Sequence, residues 1–173
     1  PGKAMQAISP KVEAAPSVRM DCPNSPAVVA TGFRHKRSSL IAKLGSPRHR
    51  GLDLIAAEGD ENQTLGGKLA YTKVDKDLED EDVEIFACVR RRWTSLGTAR
   101  TNDDGRFEIT LTGDRRLPVG MTDLFASVRG DASGVRFLGY VAAKGESVIV
   151  SDIDGTITSS EDAIFKTVLL GKD

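Results

Sequence analysis

The segment Gly105-Arg106-Phe107-Glu108-Ile109-Thr110-Leu111-Thr112 decides the expected fold, because apolar and polar residues alternate along it without a break. In an extended strand successive side chains point to opposite faces, so Phe107, Ile109 and Leu111 share one face. The preceding residues, Asn102-Asp103-Asp104-Gly105, have the composition of a tight hairpin turn. This stretch therefore predicts a half-buried β-strand that is entered from a hairpin.

Other segments between residues 52 and 146 show similar short apolar runs, separated by turn sequences such as Leu117-Pro118-Val119-Gly120. They are residues 52–55, 67–74, 83–89, 124–128 and 135–141. Short strands with turns at this spacing predict a mainly β fold, an antiparallel sandwich of the immunoglobulin-like or transthyretin-like kind.

The chain before residue 52 has a different composition. Residues 1–30 are rich in Ala, Pro, Ser and Val and are expected to be disordered. Residues 31–51 form a basic segment, in which Ser38 or Ser39 is expected to cap a short helix that Gly45 closes. The basic residues of this segment suit either anionic lipid headgroups or a solvated surface, and the second interpretation is favoured.

Composition restricts the classes of partner. The net charge of the 173 residues is −1 and aromatic residues make up 5%, which argues against a nucleic-acid partner. The chain begins with Pro1, which fits removal of a signal peptide and a secreted or periplasmic location; a cytoplasmic location is the alternative.

Cys22 and Cys88 either form a disulfide or stay as thiols, and the sequence leaves both states open.

A second informative stretch lies near the end of the chain. The run Val148-Ile149-Val150-Ser151-Asp152-Ile153-Asp154-Gly155-Thr156 has the pattern of an apolar strand followed by two carboxylates, a glycine and a hydroxyl. Asp152 and Asp154 leave the same face of an extended backbone. Two converging carboxylates need neutralisation, and oxygen-only ligands favour Mg²⁺.

This run resembles the first motif of haloacid-dehalogenase-type phosphatases, and it is similar to lipin-type phosphatidate phosphatases and to the C-terminal domain of phosphatidylinositol-transfer proteins. The resemblance implies that Asp152 is the nucleophile and Asp154 the general acid and base. It also implies that both residues bind Mg²⁺ and that Gly155 and Thr156 contact the substrate phosphate. The substrate implied is phosphatidate or a related phosphomonoester, which entails peripheral contact with a membrane. The pattern from Gly67 to Phe107 in turn resembles the β-sandwich found ahead of lipin-like domains.

Only 21 residues follow Asp152, enough for the first βα unit of such a domain, which is assigned to residues 147–173 after a sandwich over 52–146. We therefore expect the N-terminal part of a Mg²⁺-dependent lipin-like phosphatase that is inactive alone. The alternative is a non-catalytic lipid- or protein-binding module with a degenerate phosphatase remnant.

Two charged stretches have competing interpretations. Residues 75–82 are strongly acidic, but they lack the Gly and Glu that a calcium-binding EF-hand loop requires, so an exposed loop is favoured. Arg90-Arg91-Arg92-Trp93 suits docking at a membrane surface. The simpler interpretation is a strand end with exposed arginines and a partly buried ring.

Overall fold

The computed structural model describes residues 21–72 and 76–149. In this part of the chain a helix, α1 (Lys36–Leu44), precedes ten β-strands. The strands are β1 (Arg50–Leu52), β2 (Leu54–Ala57), β3 (Asn62–Lys68), β4 (Ala70–Tyr71), β5 (Lys76–Asp77), β6 (Asp82–Val89), β7 (Arg92–Arg100), β8 (Arg106–Thr112), β9 (Gly120–Val128) and β10 (Gly134–Ala142). The predicted mainly β fold is confirmed.

The strands form a five-stranded sheet in the order β2-β10-β9-β6-β7 and a three-stranded sheet in the order β1-β3-β8. The short strands β4 and β5 pair with each other. The prediction of a purely antiparallel arrangement is wrong at one position, because β2 runs parallel to β10. A parallel pair needs a long connection, and here all the strands from β3 to β9 lie between the two partners.

The hydrophobic core fills the space between the two sheets. Leu65 and Leu111 enter it from the three-stranded sheet, and Ile85, Leu124 and Val128 enter from the five-stranded sheet, each with no exposed surface. The alternation that predicted β8 is confirmed by these residues and by Phe107, which is also buried. The ring of Phe107 lies so close to Gly67 that a Cβ there would be 2.6 Å from its Cε1 atom.

Some predicted strand limits are wrong. The expected strand over residues 67–74 is divided between β3, which ends at Lys68, and β4. Strand β7 was not predicted, because its sequence Arg92–Arg100 does not alternate and its pairing with β6 contains a β-bulge at Ile85/Phe86. Strand β7 lies at an edge of the sheet, and its conformation is determined more by its pairing with β6 than by the hydrophobic pattern of its own residues.

Helix α1 begins earlier than predicted. Its N-cap residue is His35, whose side chain makes no capping hydrogen bond, and Ser38 lies buried inside the helix instead of capping it. The amides of Arg34 and His35 donate to the two carboxylate oxygens of Glu81, at 2.9 and 3.1 Å. A side chain distant in sequence thus satisfies the amides at the start of the helix. Gly45 closes the helix as expected.

Residues 21–33 contain neither helix nor strand but are attached to the sandwich. Cys22 is buried and forms a disulfide with Cys88 of β6, with 6.0 Å between the two Cα atoms. Further along, the Thr31 amide donates to the Arg129 carbonyl oxygen at 2.8 Å. The expectation of a disordered segment is therefore wrong for residues 21–30, because the disulfide at Cys22 and a hydrogen bond from the Trp93 indole to the Asn24 carbonyl oxygen hold them.

Replacing both cysteines with serine is expected to destabilise the protein. The disulfide joins residues 66 positions apart, and the loss of loop closure corresponds to about 4 kcal/mol. Urea unfolding of the Cys22→Ser/Cys88→Ser variant measures the change. Wild-type protein reduced with dithiothreitol should unfold at the same midpoint as the variant. Equal stability of the oxidised wild type and the variant would contradict the expectation.

Candidate functional site

The residues predicted to form a phosphatase site lie outside the described residues. Asp152, Asp154, Gly155 and Thr156 all follow residue 149, where the description of the chain ends. Their assigned roles and their binding of Mg²⁺ stay untested predictions. Elsewhere in the described part of the chain, no group of three or more His, Cys, Asp or Glu side chains is arranged to hold a metal ion.

The outer face of the five-stranded sheet, turned away from the core, is covered at one place by residues 21–33. The indole of Trp93 donates to the Asn24 carbonyl oxygen at 2.6 Å and lies edge-on to Phe125, with 5.9 Å between ring centroids. The guanidinium of Arg136 sits 5.2 Å from the centre of the Trp93 ring and pairs with Asp123 at 3.4 Å. These contacts confirm the prediction of a partly buried ring at Trp93.

Beside this covered area the same sheet face is open and apolar. The strand register places Ile55, Tyr140 and Met121 side by side on β2, β10 and β9. With Leu54 and Leu138 they line an open groove of about 480 Å³. The Tyr140 hydroxyl donates to Glu146 at 2.6 Å, and this hydrogen bond lowers the pKa of the Glu146 carboxyl.

One end of the five-stranded sheet, here called the hairpin end, collects exposed apolar side chains. Strand β6 ends there and turns into β7, and because β9 is antiparallel to β6, β9 begins at the same end. Strands β10 and β2 also finish there. Four aliphatic side chains of the strands and turns at this end are between 44 and 49% exposed: Ile55, Val89, Val119 and Met121.

The turn between β6 and β7 consists of two arginines. Val89 pairs with Arg92, so Arg90 and Arg91 form a two-residue loop, and both have positive φ angles, 51° and 63°. Such turns favour Asn-Gly, because a side chain with a Cβ is strained in the left-handed region. Within residues 21–72 and 76–149, the side chains of Arg90, Arg91 and Arg92 form no ion pair.

Replacing the turn with Asn-Gly is expected to stabilise the fold. The Arg90→Asn/Arg91→Gly variant should gain about 1 kcal/mol, because relief of the two positive φ angles outweighs the added freedom of glycine in the unfolded chain. Thermal and urea unfolding measure the gain. The Arg90→Lys/Arg91→Lys variant keeps the strain and should unfold like the wild type. A loss of stability in the Asn-Gly variant would contradict the assigned turn geometry.

The opposite end of the sandwich carries paired charges. The acidic stretch that ends at Asp82 meets the N-terminal end of α1: Arg37 in the first turn pairs with Glu79 at 3.0 Å, and the N-cap residue His35 contacts Asp80 at 2.8 Å. The hydrogen bond from His35, aided by Arg34 and Arg100, lowers the pKa of the Asp80 carboxyl. For residues 76–82 these contacts replace the calcium-loop interpretation, since the carboxylates are neutralised by cationic side chains of the same chain.

A half-buried polar cluster connects β4, the residues before β1 and the β9–β10 turn. The Tyr71 hydroxyl donates to Asp131, and Ser133 Oγ donates to the same carboxylate at 2.6 Å. His49 Nε2 lies 2.8 Å from Ser133 Oγ, whereas its buried Nδ1 atom has no hydrogen-bond partner among the described residues. Burial and the hydrogen bond to Asp131 raise the pKa of Tyr71.

The cluster contains a serine, a histidine and an aspartate but lacks the order of a catalytic triad. In a triad the aspartate holds the histidine, whereas here Asp131 accepts from Ser133 and Tyr71. The arrangement fixes the β9–β10 turn against β4. Sequence reasoning missed it because its members lie far apart along the chain, with no motif spacing between His49, Tyr71 and Asp131.

The His49 ring makes stability depend on pH. Burial lowers its pKa to about 4, against an opposing effect of Asp131, while an unfolded histidine titrates near 6.5. As the pH falls below 6.5, His49 becomes protonated in the unfolded state but stays neutral in the folded state. The free energy of unfolding therefore decreases as the pH falls. Between pH 6.5 and 5 the loss should reach about 1.5 kcal/mol, measured by urea unfolding.

Two histidine variants separate this effect from other titrations. His49→Gln should remove most of the pH dependence between 6.5 and 5, whereas His35→Gln, at an exposed position, should retain it. An unchanged slope in His49→Gln would show that other groups cause the loss.

Comparison with known proteins identifies the family to which this β-sandwich belongs. A family model described as "PITM 1-3, beta-sandwich domain" matches residues 47–141, which include all but the last residue of the ten strands. The chain belongs to this family. Among curated proteins it is 33% identical over 140 residues to mouse membrane-associated phosphatidylinositol transfer protein 3 and 29% identical over 140 residues to human membrane-associated phosphatidylinositol transfer protein 1. These matches cover 79% of this chain but only 14% and 11% of the two relatives.

The comparisons correct the expected function. A lipin-like phosphatase of the haloacid-dehalogenase superfamily was predicted from Asp152 and Asp154, and this prediction is wrong. The matched family is a β-sandwich domain, and the relatives are named as phosphatidylinositol transfer proteins, not hydrolases. The alternative of a lipid-binding module agrees better with these relatives. Among the described residues the structure has no helix that is both long and apolar enough to span a bilayer.

Proposed function

We propose that this chain is a non-catalytic module that contacts phospholipid membranes from the hairpin end of its sandwich. The observation that carries the proposal is the cluster of exposed aliphatic residues at that end, each with nearly half of its surface in solvent. The relatives are named as membrane-associated phosphatidylinositol transfer proteins, which supports a phospholipid partner. The scaffold proposed for this role is an immunoglobulin-like or transthyretin-like sandwich, which its sheets of five and three strands support.

A membrane is a better match for the hairpin end than a small soluble ligand. Met121, at the start of β9, lines a broad open groove and not an enclosed cavity, and the exposed Val119 immediately precedes the strand. Aliphatic side chains that project from a rigid sheet end can enter the boundary between headgroups and acyl chains without any rearrangement of the core. The expected mode is therefore peripheral and reversible.

Vesicle flotation with the full 173-residue chain tests the proposal. The wild type should float with vesicles of phosphatidylcholine and phosphatidylserine. The Val119→Asp/Met121→Asp variant should bind at least about 10-fold more weakly, because each replacement removes on the order of 1 kcal/mol of apolar transfer.

A matched control uses exposed leucines at the other end of the molecule. Leu40 and Leu44 of α1 are 58 and 57% exposed, and the Leu40→Asp/Leu44→Asp variant should bind vesicles like the wild type. The proposal fails if the wild type does not float, or if the two double variants lose binding equally.

A further inference from the structure

We propose that Arg90, Arg91 and Arg92, at the turn of the β6–β7 hairpin, bind the phosphate and carboxylate groups of anionic phospholipid headgroups. The inference rests on the proposed membrane contact and adds the lipid class that this contact selects. It assigns the headgroup contact to a specific three-residue surface, here called the arginine turn.

The side chains of the arginine turn are available to an external anion. All three residues are exposed. None of them forms an ion pair within the described chain, whereas Arg34, Arg37 and Arg100 at the opposite end all pair with carboxylates. Guanidinium groups bind phosphate and carboxylate oxygens through paired N–H donors, so an anionic headgroup is a suitable partner for this turn.

The strained backbone of the turn indicates that the two arginines serve a purpose other than folding stability. Arg90 and Arg91 occupy two successive left-handed positions, where Asn-Gly would form the same turn with less strain. Retaining arginine at both positions costs folding stability, and among the described residues neither side chain forms an ion pair that would offset that cost. Strain of this kind commonly marks a surface that serves binding.

The base of the hairpin is rigid. Cys88, two residues before the turn, is bonded to Cys22, and Trp93, immediately after Arg92, is fixed by its hydrogen bond to Asn24. The arginines therefore extend from a fixed position beside the exposed aliphatic residues of the hairpin end. Apolar side chains and cations at one end match the two layers of a membrane surface, the acyl boundary and the charged headgroups.

The decisive experiment compares phosphatidylserine-containing vesicles with pure phosphatidylcholine vesicles. The Arg90→Asn/Arg91→Gly variant should bind the anionic vesicles about 30-fold more weakly at low salt, since each arginine near such a surface contributes about 1 kcal/mol. Its affinity for phosphatidylcholine vesicles should not change. Because this variant is expected to fold more stably than the wild type, unfolding cannot explain the loss.

Two further variants separate position from charge. Arg90→Lys/Arg91→Lys keeps the charges and should retain most of the anionic binding. Lys43→Gln/Arg106→Gln removes the same two charges from exposed positions on α1 and β8, at the other end of the sandwich, and should bind like the wild type.

The possible failures have different meanings. If Arg90→Asn/Arg91→Gly binds anionic vesicles as tightly as the wild type, or if the Lys43→Gln/Arg106→Gln variant loses as much, the arginine turn is not the headgroup site. The proposed membrane contact is decided separately, by the Val119→Asp/Met121→Asp variant and its Leu40→Asp/Leu44→Asp control. If the wild type binds neither kind of vesicle, the proposed function itself is wrong.

Discussion

Burial on both faces of strand β9 is the constraint on which the rest of the molecule depends. Leu124, Ala126 and Val128 fill the core between the sheets, and Phe125 on the opposite face is covered by the Trp93 region. A strand that is buried on both faces has to be covered on both of them. The three-stranded sheet supplies one, and the segment held by the Cys22–Cys88 disulfide contributes to the other. This second cover also gives the β6–β7 hairpin its rigid base.

The local sequence pattern predicted the elements whose identity depends on residues close to them in the sequence. The alternation of Phe107 and Leu111 identified β8, and Gly45 marked the end of α1. It missed features that depend on residues far away in sequence. The start of α1 is satisfied by Glu81, and nothing near His35 in the sequence indicates that carboxylate. The cysteine pairing stayed open for the same reason, since a disulfide is set by the distance between backbones and not by spacing along the chain.

The candidate site was anticipated less well than the fold. The strongest chemical motif, around Asp152, lies outside the described residues and led to a function that the relatives contradict. The exposed arginines and the partly buried ring of Trp93 were predicted correctly, but at a strand end and not at a hairpin turn. Its left-handed backbone was not predictable, because Arg90-Arg91 contains neither the Gly nor the Asn that signals such turns. The arginines at the two ends also look alike in the sequence. Only the fold shows that Arg34, Arg37 and Arg100 pair with carboxylates, whereas within the described residues the arginine turn forms no ion pair.

The parallel pairing of β2 with β10 has a consequence for how the protein folds. It joins Leu54 to Gly139, so one edge of the main sheet is completed only when nearly the entire domain is available. Contacts this distant in sequence carry a large loop-closure cost and slow the search for the native topology. During synthesis this edge of the sheet therefore stays unpaired until β10 has been made. Until then β2 is an apolar segment without its partner strand.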